Sequence, residues 1–445
     1  MSDLKRLQDE LKALAHNLVQ KAQDGEAASE KQGVRIPAKL LDILPQCFMS
    51  TIETTTKLKG DGMSYIFTGD IPAMWLRDSS AQVIHYLPLA SESSAVAELI
   101  SGLIRQQIAY ILIDPYANAF NEEPQEEAHY GEDLPVPGPW VWEQKYEIDS
   151  LCYPLWLSWH YYKKTGDHTP FDEDFLEACK TIMNLWKVEQ NHSEDSPYWF
   201  KRSNCPPQDT LSHDGKGAPV KHTGMTWSGF RPSDDACVYG YLIPSNMFAV
   251  VTLRYMAELL EDIYQEKELA EEAIELADMI DTGIHEYGIV EHETYGPMYA
   301  YETDGFGNYV LMDDANVPSL LSIPYLGYTT ADDPIYQNTR KFILSKENPY
   351  YYEGKVAKGI GSPHTPEEYI WHIALNMQAM TSKDAEEVNE LLEMVARTDA
   401  DTGYMHEGFH VDDPAQFTRP WFAWSNSLFS SLLQQLITEG LHSNR

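Results

Sequence analysis

Helical segments of two kinds alternate along this chain, and that alternation narrows the possible folds more than any other feature. One kind carries apolar residues three or four apart with charges between them: 36–56, 94–113, 171–190, 267–286, 334–346 and 382–397. The other is apolar and aromatic on nearly every face: 72–87, 149–162, 234–257, 314–325, 366–380 and 420–436. A helix with one apolar stripe lies at a surface, whereas one that is greasy all round is enclosed. A charged segment precedes a greasy one six times. Six such pairs, none able to bury its apolar face alone, close into a double ring, which predicts an all-α chain folded as an (α/α)6 barrel. The greasy segments start at uneven intervals, so the repeat is one of architecture and not of sequence. An open α-solenoid is the competing arrangement, but it has no need of helices apolar on every face.

Residues 1–22, with Leu4, Leu7, Leu11, Leu14 and Leu18 among charges, read as an amphipathic helix and not as a signal peptide. The expected organisation is one barrel domain over 1–445, with 1–30 forming a helix packed on or beside it. No stretch approaches the roughly 18 uninterrupted apolar residues of a membrane span, so the expected location is cytoplasmic. The net charge of −37 argues against nucleic acid or an anionic membrane as partner, because both bind through Lys and Arg. Five cysteines lie far apart with no C-x-x-C, so free buried thiols are expected.

Loops rich in acids and aromatics lead into the greasy helices. If those helices run parallel, their loops meet at one mouth and form a pocket. The first loop presents Trp75, Arg77 and Asp78, with Pro72 suited to the first helical turn. An indole face and forked polar partners are what a sugar ring needs, although a buried Arg–Asp pair at a helix start would read the same way. The second carries Glu147 and Asp149, the third Trp227, Arg231, Asp234 and Asp235, and the fourth Asp313. Capping of a helix that starts at Asp234 accounts for one acid of the Asp234–Asp235 pair, but not for two. The fifth loop offers His364, with His372 further on reading as a packing residue; the sixth offers Glu407, Arg419 and Trp421, the last placed in the first turn of its helix.

His406-Glu407-Gly408-Phe409-His410 matches H-E-x-x-H literally. Zinc ligation requires both histidines on one face of a regular helix. Gly403, Gly408 and the Asp412-Asp413-Pro414 turn point instead to loop or extended chain, leaving Glu407 as an exposed acid near the pocket. No metal site and no cofactor or nucleotide fingerprint emerges. An acidic, aromatic pocket of this kind suits a neutral, hydroxyl-rich ligand, and two carboxyls in such a pocket suit glycoside hydrolysis.

The runs TGDIPAMWLRDSSAQ (68–82), YEIDSLCYPLW (146–156), GMTWSGFRPSDDACVYGYLIPSNMFAV (224–250), GIGSPHTPEEYIWHIALNMQA (359–379) and GYMHEGFH (403–410) resemble glycoside hydrolase family 125. Its members are bacterial and fungal metal-independent exo-α-mannosidases. The resemblance implies an (α/α)6 barrel that releases non-reducing terminal α-1,6-linked mannose from mannosides or N-glycan fragments, with inversion. By motif position it implies Asp234 as general acid and Glu407 as general base. Arg77, Asp78, Arg231, His364 and Trp421 would shape the terminal-sugar subsite. The residues alone do not separate Asp234 from Asp235. They also leave room for an α-glucoside hydrolase or phosphorylase, for an epimerase using His364 and His372, and for a sugar-binding protein without turnover.

Overall fold

In the computed structural model, which describes residues 3–441, the chain forms an (α/α)6 barrel. The outer ring consists of helices Ala38–Ser50, Ser94–Ile113, Glu173–Glu189, Lys267–Tyr287, Pro334–Ile343 and Ala385–Ala396. Four of them start on a side-chain cap, from Ser93, Asp172, Asp333 and Asp384, which satisfies an otherwise free backbone N–H. Lys267–Tyr287 shows why they stay outside: Ala270, Ala273, Leu276, Ala277, Ile280 and Ile284 line one buried stripe. Acids cover its other faces.

Inside run Leu76–Ala81, Ile148–Thr165, Ile243–Leu259, the short turn Ile323–Leu326, His372–Met380 and Ala423–Thr438. Ile243–Leu259 is buried on nearly every face, and its polar Asn246 bonds to Thr226 and to the Leu242 carbonyl. Trp159 Nε1 of the second inner helix donates to Glu258 of the third at 2.7 Å. The ring closes where Ser427 Oγ of the last donates to the Ala81 carbonyl of the first, at 2.9 Å.

Several expected boundaries shift. The first inner helix begins at Leu76, not at Pro72, and the third at Ile243, not at Asp234. In each case the approaching chain is a short strand: Met74–Trp75 pairs with Ala119–Phe120, and Tyr241–Leu242 with Glu302–Thr303. Tyr369–Trp371 plays the same part before His372, pairing with Gly408–His410. These ladders satisfy backbone groups that could not be left bare so deep in the protein. The fourth inner segment is reduced to one turn, since Pro318 and Pro324 lack the N–H a continuing helix needs.

Helix Asp3–Gln23 lies against Ala38–Ser50, Ser94–Ile113 and Ala423–Thr438, burying Leu7, Leu11, Ala15 and Leu18. Ser94–Ile113 is long and apolar enough to cross a membrane by length and composition, but 67% of its most apolar window is buried in this fold. Cys47, Cys152 and Cys179 are buried thiols; Cys205 and Cys237 are partly exposed.

Candidate active site

The chain segments entering the inner helices enclose one recess. Trp75, Arg77 and Asp78 line it from the first unit, Ser233 and Asp234 from the third, and Asn316 from the fourth. His364 and Trp371 come from the fifth, and Glu407, Arg419 and Trp424 from the sixth. A roomier cleft of about 450 Å³ lies between hairpin Tyr351–Ile360 and helix Ala385–Ala396, but no aromatic ring lines it, so it offers a sugar nothing to stack on.

Arg77 is the hub of the recess floor. Its side chain is nearly sealed from solvent, and one guanidinium nitrogen donates to Glu147 Oε2 at 2.6 Å and to Asp149 Oδ2 at 2.9 Å. The other terminal nitrogen donates to Asp234 Oδ1 at 3.1 Å. That same oxygen accepts from Trp75 Nε1 at 3.2 Å and from Asn118 Nδ2 at 3.3 Å. Three donors on Oδ1 leave Oδ2 as the oxygen for a proton. Asp234 reaches this position from a tight turn, with φ of +68° and its N–H bonded to the Arg231 carbonyl, and it does not cap a helix. Burial would raise its pKa, but Arg77, a hydrogen bond with Glu147, Lys145 and His364 together pull it well below the usual carboxylate range. Asp78 pairs with Arg77 Nε at 3.6 Å, and burial, against Arg77 and Arg419, pushes its pKa up to about 6.

Asp235 faces a different partner. Its Oδ1 lies 3.0 Å from His364 Nδ1. Burial alone would lower the His364 pKa, but Asp235, Glu407 and Asp234 raise it to about 9, so the ring is an imidazolium at neutral pH. The second acid of the pair thus serves to hold His364 in the recess. Glu407 is 5% exposed, not the open surface acid expected, and Arg419 approaches it at 3.6 Å. Arg419 is itself anchored by a fork onto Asp70, at 3.0 Å from Nε. Asp70 sits beside Gly69, where a Cβ would meet the Trp421 carbonyl at 2.6 Å; glycine at φ +143° allows the first and sixth loops to touch.

The recess therefore unites Trp75, Arg77, Asp78, Asp234, His364, Glu407 and Arg419, with Asp149 and Asp235 directly behind them. Four expected residues lie elsewhere. Trp227 is 1% exposed and stacks on His192 at 3.5 Å, deep in the core. Arg231 turns to Glu302 at 2.6 Å. Asp313 is buried, with its carboxylate accepting from the Leu320 and Leu321 amides. Trp421 precedes its helix and bonds through Nε1 to Thr54 on the rim, 38% exposed.

The histidines of the H-E-x-x-H run do not share a helix face. Residues 408–410 are a strand; His406 stacks on Phe417 and bonds to Thr402, while His410 faces Glu368. His372 is fully buried against His406 and Thr398, neutral with its pKa pushed down to about 3, and away from the recess lining. Asn118 and Asn316, polar members of the site, were not anticipated. Neither is charged, and no local pattern marks them. Trp371 and Trp424 read as core from helix periodicity alone, yet each also presents a face to the recess.

Residues 38–434 match the protein family described as metal-independent α-mannosidase, glycoside hydrolase family 125. A curated relative, the meiotically up-regulated gene 157 protein of Schizosaccharomyces pombe, is 40% identical across 91% of this chain and 83% of its own length. A solved metal-independent α-mannosidase from Streptococcus pneumoniae, in a non-productive substrate complex with α-1,6-mannobiose, is 43% identical with a TM-score of 0.92 over 99% of both chains. A glycosidase in complex with glucose, 12% identical with a TM-score of 0.52 over 90% of this chain and 97% of its own, shares the fold. The chain is a glycosidase and belongs to the metal-independent α-mannosidases of glycoside hydrolase family 125.

Proposed function

We propose that the protein is an exo-acting α-1,6-mannosidase that inverts the anomeric centre, with Asp234 as general acid and Glu407 as general base. The observation that carries this reading is the convergence of these two carboxyls, from the third and sixth units, on one recess. That recess also holds indole rings, two guanidiniums and the Asp78 carboxyl, groups matched to the hydroxyls and apolar face of a sugar. The α-1,6-mannobiose held by the Streptococcus pneumoniae relative supports mannose and this linkage.

Asp234, when protonated, gives its proton to the glycosidic oxygen as the bond from that oxygen to C1 breaks. Glu407 removes a proton from a water that attacks C1 from the opposite face, and β-mannose leaves. A water fits between acid and base when the carboxyls stand about 6.5–9.5 Å apart, and attack from that side inverts the centre. His364, as a cation, and Arg419, 3.6 Å from Glu407, place positive charge on the side of the recess where the water is activated. The epimerase reading has little to support it, since His372 faces the core and not the recess.

The experiment is a linkage panel. Purified protein is incubated with α-1,2-, α-1,3- and α-1,6-mannobiose and with a non-reducing-end-blocked α-1,6 substrate, each with and without a chelator. Mannose released from unblocked α-1,6-mannobiose alone, equally with chelator, is expected. Cleavage of the blocked substrate would overturn the exo reading, and equal cleavage of all linkages the specificity. Binding of mannobiose without turnover would leave a sugar-binding protein.

A further inference from the structure

A general acid must carry its proton into the reaction, yet Asp234 sits where a carboxylate is favoured, with three donors on one oxygen. We propose that Glu147 resolves this as a positioning residue: it shares a single proton with Asp234 across Arg77 and returns that proton to the acid. The inference rests on the reading of Asp234 as general acid.

Glu147 is 1% exposed, does not line the recess and cannot meet substrate. Arg77 holds the Glu147 carboxyl beside that of Asp234, one terminal nitrogen 2.6 Å from Glu147 and the other 3.1 Å from Asp234, and Asn118 Nδ2 bridges them, 3.4 Å from Glu147 and 3.3 Å from Asp234. Two buried carboxyls gathered on one guanidinium and one amide repel each other when both ionise, so one proton belongs to the pair. Burial raises the pKa of Glu147 well above the carboxylate range, with Asp234 and Asp149 adding to it against Arg77. In the resting enzyme the proton thus lies on Glu147. When it crosses to Asp234, the Glu147 anion is already held by Arg77 at 2.6 Å and Ser150 Oγ at 2.8 Å. Asp234 then gives the proton to the glycosidic oxygen as the bond to C1 breaks, and solvent reprotonates the pair. The other charged groups around it are Asp78 on the helix of Arg77, Asp149 beside Ser150, Glu143 at the end of strand Val141–Glu143 with Lys145 just after it, and His364 across the recess. Cys237 also faces Glu147 and is held as a neutral thiol.

The test compares wild type, Glu147→Gln, Glu147→Asp and Asp234→Asn on two substrates across pH. α-1,6-Mannobiose has a poor leaving group that needs the acid, whereas 2,4-dinitrophenyl α-mannoside does not. For Glu147→Gln, the high-pH limb of kcat/KM on mannobiose should move down by about one pH unit, a tenfold loss above it. Its loss on the aryl mannoside should be much smaller and should leave the high-pH limb of that substrate in place, and Glu147→Asp should restore part of the limb on mannobiose. An unshifted limb with equal losses on both substrates would overturn the proposal. Should Glu147→Gln not fold, an unshifted limb in Glu147→Asp does the same. Asp234→Asn separates the two claims: if it too loses equally on both substrates, the acid assignment itself fails. If it spares only the aryl mannoside while the Glu147 variants leave the limb in place, the acid stands and the proton sharing falls.

Discussion

Asp78→Asn should make the protein more stable at neutral pH while disabling it. The Asp78 carboxyl is buried with Arg77 Nε at 3.6 Å, and burial outweighs the pull of Arg77 and Arg419, lifting its pKa from the ordinary 3.8 to about 6. A carboxyl with a raised folded-state pKa binds its proton more tightly folded than unfolded. Its contribution to stability is full below the unfolded value and is lost as pH rises through the folded one. Over the shift from 3.8 to about 6 the loss amounts to about 3 kcal/mol at pH 8 and roughly half of that at pH 5. Asparagine keeps the shape without the charge, so the stability gained by the variant should follow that curve. Denaturant unfolding of both proteins at several pH values between about 5 and 8 measures it. A variant less stable than wild type throughout, or a difference that does not change with pH, would refute the reasoning. The gain should come with loss of mannose release, because Asp78 faces the recess.

Other consequences are checked more briefly. The raised pKa of His364 means that its stabilising pairing with Asp235 is complete below about pH 6.5 and is lost as pH rises through about 9. Thermal unfolding should therefore separate His364→Gln from wild type at pH 7 and bring the two together well above that upper value. Trp227→Ala should cost about 3–5 kcal/mol in unfolding free energy, the usual range for a large aromatic in the core. The KM of the folded fraction should hardly move, whereas Trp75→Phe, which removes a donor to Asp234, should change the kinetics with little effect on stability. Gly69→Ala would press a Cβ against the Trp421 carbonyl and part Asp70 from Arg419, so both melting temperature and mannobiose turnover should fall.

The ring was legible because its cause is local: three-to-four spacing and all-round greasiness are written within each segment. Inner-helix starts were less so. Trp75 and Tyr241 look like helix positions until residues 44 and 62 positions further on pair with them in strands, which no local window reveals. The same limit separates the two Trp-and-Arg loops. Trp75 with Arg77 and Trp227 with Arg231 carry the same residue types, but Glu302 draws Arg231 aside and His192 takes the Trp227 face. Acids were easier to place than amides. Asp234 and Glu407 stood out by charge beside aromatics, whereas Asn118 earns its position only through a backbone that brings it under Asp234.

The central claim is inversion by Asp234 and Glu407, and the anomer formed first tests it most directly. Proton NMR of α-1,6-mannobiose hydrolysis, recorded before mutarotation mixes the product, should show β-mannose appearing ahead of α-mannose, and no signal growth with Glu407→Gln. Initial release of α-mannose would contradict the account, since it requires a retaining pair of carboxyls only about 5–5.5 Å apart.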